Sequence, residues 1–427
     1  MSRCVAIING DIFDGRKPSL FRGNVCIQNG EIFSIGDLPD EFIADETIDA
    51  HGCVVCPGFV DLSVYLREPG QEHKATIASE TKAAAKSGVT TLCCSPETVP
   101  VIDTPAVVEL IKEQSILAGF SHVIPTGALT LHLEGQALSE MHSLKQAGCV
   151  AVSNGTRPVR DTLIWRRALE YATTFDLLVI VRPQDPWLTA GGCIHEGPVA
   201  TRLGLPAIPA CAETVAVAQI LALVEETGAR VHFSCLSTRR AVELLRSAQE
   251  KGLTVTADVA VHQLHLLDTQ AEGFDPMVHV IPPFRSQEDR EGLREALTEG
   301  VVSAVCSDHQ PHEEDAKLNV FSATEPGVAS LETLLPLMLS LVDQGVVGLP
   351  EALARLTRGP AGILELDGGI LAPGNRADIC IFDPEATWKV DEQSWWSRGR
   401  NTPFWGQSLK GRVRWTLVQG KVVYSAD

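Results

Sequence analysis

The sequence predicts an α/β fold: a (β/α)8 TIM-type barrel with a small β-sandwich domain formed from both chain ends. Two patterns carry that reading. Through the middle of the chain, eight short apolar runs of strand character alternate with amphipathic helical stretches. At both ends, strand-like runs follow one another across tight turns, with no helical periodicity between them. The expected division is residues 1–56 plus 365–427 for the composite β-domain and residues 57–364 for the barrel.

Taken in order, Val5–Ile8 runs into Asn9-Gly10, and Asn24–Gln28 into Asn29-Gly30. Asn-Gly between apolar runs supplies the left-handed conformation that a two-residue hairpin demands. Ala377–Phe382 and Val413–Val418 have the same texture at the far end, with Gly420 in a further turn. Between them, strands are expected at Gly58–Leu66, Thr90–Ser95, His122–Thr130, Cys149–Asn154, Leu177–Pro183, Arg230–Ser237, Leu253–Val261 and Ser303–His309. Helices are expected at Thr76–Ser87, Pro105–Ala118, Leu138–Ala147, Asp161–Thr173, Thr214–Thr227, Thr238–Lys251, Glu288–Glu299 and Leu331–Val342. A doubly wound open sheet is the alternative, but no Gly-rich phosphate-binding turn follows any of the strands.

At 427 residues the chain can bury a large core. Lys and Arg number 35 against 54 Asp and Glu, so the formal charge is 35 − 54 = −19. That balance argues against nucleic-acid and anionic-membrane partners. The N-terminal apolar run is too short for a signal peptide and ends in Asn9-Gly10-Asp11. No stretch is long enough to span a bilayer, and a cytoplasmic, reducing location is the expectation. The 12 Cys are scattered, several within apolar runs (Cys93, Cys94, Cys149, Cys306, Cys380), which points to buried free thiols. Cys53-Val-Val-Cys56 matches C-x-x-C, but alternation would place its two Cys on opposite faces of a strand, which argues against zinc.

In such a barrel, chemistry sits at the C-terminal ends of the strands. Those ends carry Ser63 and Tyr65, then Ser153-Asn154-Gly155, Arg182, Cys235 and Asp308. Three further runs are distinctive: Leu66-Arg-Glu-Pro-Gly-Gln-Glu-His73, Ser307-Asp-His-Gln-Pro-His312 and Arg400-Asn-Thr-Pro-Phe404. On these motifs the chain resembles the dihydroorotase family of the amidohydrolase superfamily along almost its full length. It looks most like the non-catalytic dihydroorotase-like chain that assembles with bacterial aspartate carbamoyltransferase. The family interconverts N-carbamoyl-aspartate and dihydroorotate with bound zinc, on a barrel that carries a small β-domain made from both chain ends.

Against that resemblance the departures are chemical. The family's Asp-x-His-x-His on strand 1 reads Asp61-Leu-Ser63-Val-Tyr65 here. Its metal-bridging carboxylate or carboxylated lysine on strand 4 falls at Asn154 and Gly155, and its strand 5 His is Arg182. Its strand 6 His falls at Cys235, in Val231-His-Phe-Ser-Cys235. Only the strand 8 aspartate is kept, as Asp308, which in the family binds metal and shuttles a proton. A hydroxyl and an amide are poor zinc ligands, a phenol is protonated near neutrality, and a guanidinium has no lone pair to give. Among positions that contact substrate in the family, Arg67 and His312 are kept, Glu97 replaces an amide, and Ile281 replaces an Asn.

The resemblance with these losses implies a catalytically inactive pyrimidine-biosynthesis protein without zinc or other cofactor. Its partner would be the catalytic chain of aspartate carbamoyltransferase, and its state a homodimer. Two alternatives stay open. One is an active amidohydrolase rebuilt around Cys235, Asp308, His309 and His312. The other is a small-molecule-binding module in which Arg67 still holds a carboxylate. Plainer readings stand beside these: Asp308 as a structural residue, His309 and His312 as hydrogen-bonded loop residues, Glu97 and Tyr65 as pocket fillers. By alternation, His232 and His262 point away from Cys235, as packing or surface residues. With no metal to neutralise it, Asp308 needs another counter-charge in a partly buried mouth. Arg182 is therefore expected to move into the vacated space against Asp308, with Tyr65 as a further partner.

Overall fold

A computed structural model describes residues 4–426 of the protein. The expected alternation builds eight parallel barrel strands. They are β1 (Phe59–Val64), β2 (Val89–Cys94), β3 (His122–Pro125, resumed at Gly127–Ala128), β4 (Ala151–Ser153), β5 (Leu178–Val181), β6 (Val231–Phe233), β7 (Val255–Ala260) and β8 (Ala304–Cys306). Each pairs in parallel with the next. A parallel bridge between Val64 and His309 closes the ring, reinforced by Tyr65 N–H to His309 O at 2.9 Å and His309 N–H to Ser63 O at 3.1 Å.

The helices are set by local chemistry. Pro105–Ala118 starts with Pro at its first turn and stops at Gly119, whose φ of 69° only glycine takes without strain. Ile77–Lys86 carries a capping box between Thr76 and Ser79. Arg239–Glu250 is capped by Thr238. Its approach is fixed by Glu213, a buried carboxylate that accepts from the backbone N–H groups of Ser237 and Thr238. The helices enclose one large apolar layer outside the strands, while a second cluster with Val60, Leu62, Ile180 and Ala304 fills the barrel itself.

Strands from both ends of the chain form one eight-stranded sheet, in which Val54–Pro57 pairs antiparallel with Ile379–Lys389. Its apolar face covers a core of its own, where Val5, Ile27, Val55, Ile381 and Leu417 meet. This is the composite β-domain expected at the chain ends. Cys53 lies in that core and Cys56 in the barrel's outer layer, on opposite sides as alternation requires. From this domain, Asn401 reaches over the barrel to bind Gln310 O and Gly327 O and to accept the N–H of His312. No helix among the described residues is long and apolar enough to cross a membrane.

Candidate functional site

At the mouth of the barrel, Arg182 leaves β5 and closes a bidentate pair with Asp308 at the end of β8. Nη1 donates to Oδ1 at 2.8 Å and Nη2 to Oδ2 at 2.7 Å. Nη2 also donates to the carbonyl of Ile281. Ser63 Oγ donates to Asp308 Oδ1 at 3.1 Å, and Gln310 Nε2 donates to the same oxygen at 3.2 Å. Both charged side chains are buried. Burial alone would push the Asp308 carboxyl up, but the guanidinium outweighs it and holds the group below the usual carboxylate range. The expected approach of Arg182 to Asp308 is therefore present in the geometry.

Tyr65 differs from expectation. Its buried phenol is hydrogen-bonded to Glu97, not to Arg182 or Asp308, and burial followed by the Glu97 charge pushes it well above the usual phenol range. The reason is positional. Glu97 also accepts from Thr156 N–H at 3.1 Å and from the Thr156 hydroxyl, so it ties the loops after β2 and β4 across the rim. Arg67 lies over the Tyr65 ring, 5.3 Å from its centroid. Its donors are turned to Pro311 O at 3.0 Å, Gln71 Oε1 at 3.4 Å and His312 Nε2 at 3.2 Å. His312 in turn is pushed down to about 2 by burial and by the charges of Arg67 and Lys74.

Three placements correct the reading of the sequence. Asn154 faces away from the mouth: its amide binds Thr130 Oγ1, Leu133 O and Arg157 O. Val152 packs outward and Ser153, the next residue, lines the mouth. His232 is wholly buried; it binds Asp258 Oδ2 and Thr256 Oγ1, both at 2.9 Å. Asp258 in turn accepts the N–H of Cys235 at 2.6 Å, so His232 stands behind Cys235. His262 is also buried. Its pKa is pushed down to about 4 by burial, with the charges of Asp308 and Arg182 acting on it in opposite senses.

The proposed centre of Cys235, Asp308, His309 and His312 is not assembled. His309 gives Nε2 to Glu80 at 2.8 Å and accepts Ser330 N–H on Nδ1 at 3.0 Å, and His312 is committed to Arg67. Asp258 and Cys306 stand under the mouth and are not among the mouth residues that the sequence marks, whereas Ser153 is one of them. The inward alternation of β7 and β8 was the signal that could have found the first two.

These residues do not fit the family's zinc. The guanidinium of Arg182 already holds both oxygens of the surviving carboxylate, and a guanidinium repels a divalent cation at close range. The space left between Ser63, Tyr65, Ser153, Arg182 and Ser234 is a cavity of about 30 Å³. That is room for roughly two waters, against about 300–1,000 Å³ for a typical ligand pocket. A larger cavity of about 250 Å³ lies outside the barrel, where Lys86 and Glu332 pair beside Trp388, Trp396 and Tyr424.

Comparison with known proteins agrees with this frame. The family described as "Dihydro-orotase-like" matches residues 52–241, and an "Amidohydrolase family" matches residues 341–424. A "Dihydroorotase-like protein" of Pseudomonas aeruginosa is 52% identical over 94% of this chain and 95% of its own length. One of Pseudomonas putida is 51% identical over 99% of this chain and 100% of its own. A "Dihydroorotase" of Syntrophotalea carbinolica is 43% identical over 98% of this chain and 99% of its own. Among solved structures, the L-hydantoinase from Arthrobacter aurescens superposes with a TM-score of 0.89 at 24% identity, covering 100% of this chain and 96% of that one, a likeness of fold. The chain belongs to the dihydroorotase-like family of amidohydrolases.

Proposed function

We propose that this dihydroorotase-like protein of pyrimidine metabolism is catalytically inactive and serves as an assembly subunit for aspartate carbamoyltransferase. The observation that carries the reading is the Arg182–Asp308 pair. It occupies the centre of the mouth with a covalently held cation and ties up the carboxylate that would bind metal and move a proton. The small volume beside it weighs in the same direction. The carbamoyltransferase role rests on resemblance alone. The test has two arms. Purified chain, supplied with zinc, is assayed for dihydroorotase turnover in both directions. Carbamoyltransferase from the same cell is assayed for assembly and activity with and without the chain. No turnover together with assembly that needs the chain is the expected result. Turnover sinks the first half of the reading, and a transferase indifferent to the chain sinks the second.

A second reading, active cyclic-amide hydrolysis, is favoured by relatives 41–43% identical that bear the name dihydroorotase. It requires a metal site other than the one Arg182 fills, and the turnover assay decides between the two.

A further inference from the structure

One layer beneath the mouth, three strands bring two thiols and a carboxylate together. Cys235 follows β6, Asp258 lies on β7 and Cys306 ends β8, and all three are buried at 1% exposure or less. Their ligand atoms lie within 4.8 Å of one another. Cys235 Sγ and Cys306 Sγ are 3.7 Å apart, and Cys306 Sγ is 3.4 Å from Asp258 Oδ1. We propose that Cys235, Asp258 and Cys306 form a buried three-ligand site for a thiophilic divalent cation, zinc above all, in the layer beneath the Arg182–Asp308 pair.

The Sγ–Sγ distance and the Cys306 Sγ–Asp258 Oδ1 distance are those such an ion imposes. Tetrahedral zinc with bonds of ~2.3 Å to sulfur and ~2.0 Å to oxygen sets its sulfurs ~3.8 Å apart and a sulfur and an oxygen ~3.5 Å apart. The donors also suit it: thiolate and carboxylate bind zinc, and no guanidinium or amide stands among them. Asp258 is oriented from behind, its Oδ2 taken by His232 Nε2 at 2.9 Å while Thr256 Oγ1 holds His232 Nδ1. A carboxylate ligand fixed by an outer hydrogen bond is the usual support of a metal site. Cys235 has φ 55°, a conformation non-glycine residues seldom adopt, and it lets the residue aim its N–H at Asp258 and its sulfur at Cys306 together.

Charge balance permits the binding. Zinc enters as Zn²⁺ and two thiol protons leave to solvent, so the buried layer gains no net charge. Arg182 above is already neutralised by Asp308. The three ligands include none of Ser63, Arg182 and Asp308, so the site is independent of whether the mouth is active.

The full-length chain, purified under reducing conditions, is tested by metal analysis and by titration with Zn²⁺ alone and Co²⁺ alone. The expected result is one equivalent of metal per chain, sulfur in the X-ray absorption shell, and a thiolate-to-cobalt charge-transfer band. Cys235→Ser and Cys306→Ser should each lose that band, whereas Cys211→Ser, at an exposed thiol outside the cluster, should keep it. A reduced chain that takes up neither ion, a shell without sulfur, or a band that survives both Cys substitutions overturns the proposal. Because the wild-type readout alone can refute the site, a variant that fails to fold does not shield it. Dihydroorotase turnover moves none of these readouts, so failure here and failure of the inactive-subunit reading are distinguishable.

Discussion

Arg182 meets Asp308 end on, two parallel N–H···O bonds of 2.8 and 2.7 Å, with both side chains under 10% exposed. Removing one partner of such a pair strands a buried charge. Arg182→Ala is expected to cost about 3–5 kcal/mol of stability in urea unfolding. The double replacement Arg182→Met with Asp308→Leu should recover most of that loss, because an apolar pair of similar volume leaves nothing unpaired. A single-variant loss below about 1 kcal/mol would mean that water reaches the pair.

Asp61 gives a pH dependence of one sign. Its Oδ1 accepts from Ser307 and Ser63, its Oδ2 has no partner, and burial pushes its pKa up to about 6. A raised carboxyl binds its proton more tightly in the fold than in the unfolded chain. Its contribution is therefore full below about pH 4 and is lost as the pH rises through about 6. Asp61→Asn, with its amide nitrogen in the unpartnered position, should raise stability at pH 8 and flatten the change between pH 4 and 6. An unchanged slope in that window would refute the assignment.

The buried histidines act in the opposite sense. Burial, with neighbouring cations, pushes His195, His262, His265 and His279 down to about 4 and His312 to about 2. Depressed bases stay neutral in the fold and charge in the unfolded chain. Their stability is present above about pH 6.5 and is lost as the pH falls toward 4. Five such groups outweigh one Asp61, so the net expectation is a fall on the order of 3 kcal/mol or more between pH 7.5 and 5. Urea midpoints across that range check it, and a flat profile contradicts it.

The mouth should be unresponsive to the small molecules of the family's reaction. With a cavity of about 30 Å³ and the donors of Arg67 turned to Pro311, Gln71 and His312, carbamoyl-aspartate, dihydroorotate and orotate are expected to leave the thermal midpoint unchanged. A saturable upward shift with any of them would show that the mouth opens. Arg182→His on its own should yield no turnover, since Ser63, Tyr65 and Ser153 still offer no imidazole or carboxylate.

The helix Pro105–Ala118 is legible to the residue because Pro and Gly mark its two ends chemically. The Arg182–Asp308 contact is legible because one unpaired charge at each of two strand ends leaves few solutions. The side chains lining the interior are less so. Period two places Ser153 inward and Asn154 outward, and a slip of one residue at the end of a three-residue strand exchanges them. His232 and Cys235 are three apart and would face opposite ways on a regular strand. Both nonetheless contact Asp258, because the chain leaves β6 before Cys235 and turns left-handed there. No propensity marks a cysteine for that conformation, so the Cys235–Asp258–Cys306 layer emerges only in three dimensions.

The guanidinium at the barrel's centre is made with the polypeptide. It cannot be stripped by a chelator, exchanged for a competing ion or withheld by a starved cell. The counter-charge of Asp308 thus arrives with the chain itself, in place as soon as Val64 has closed onto His309.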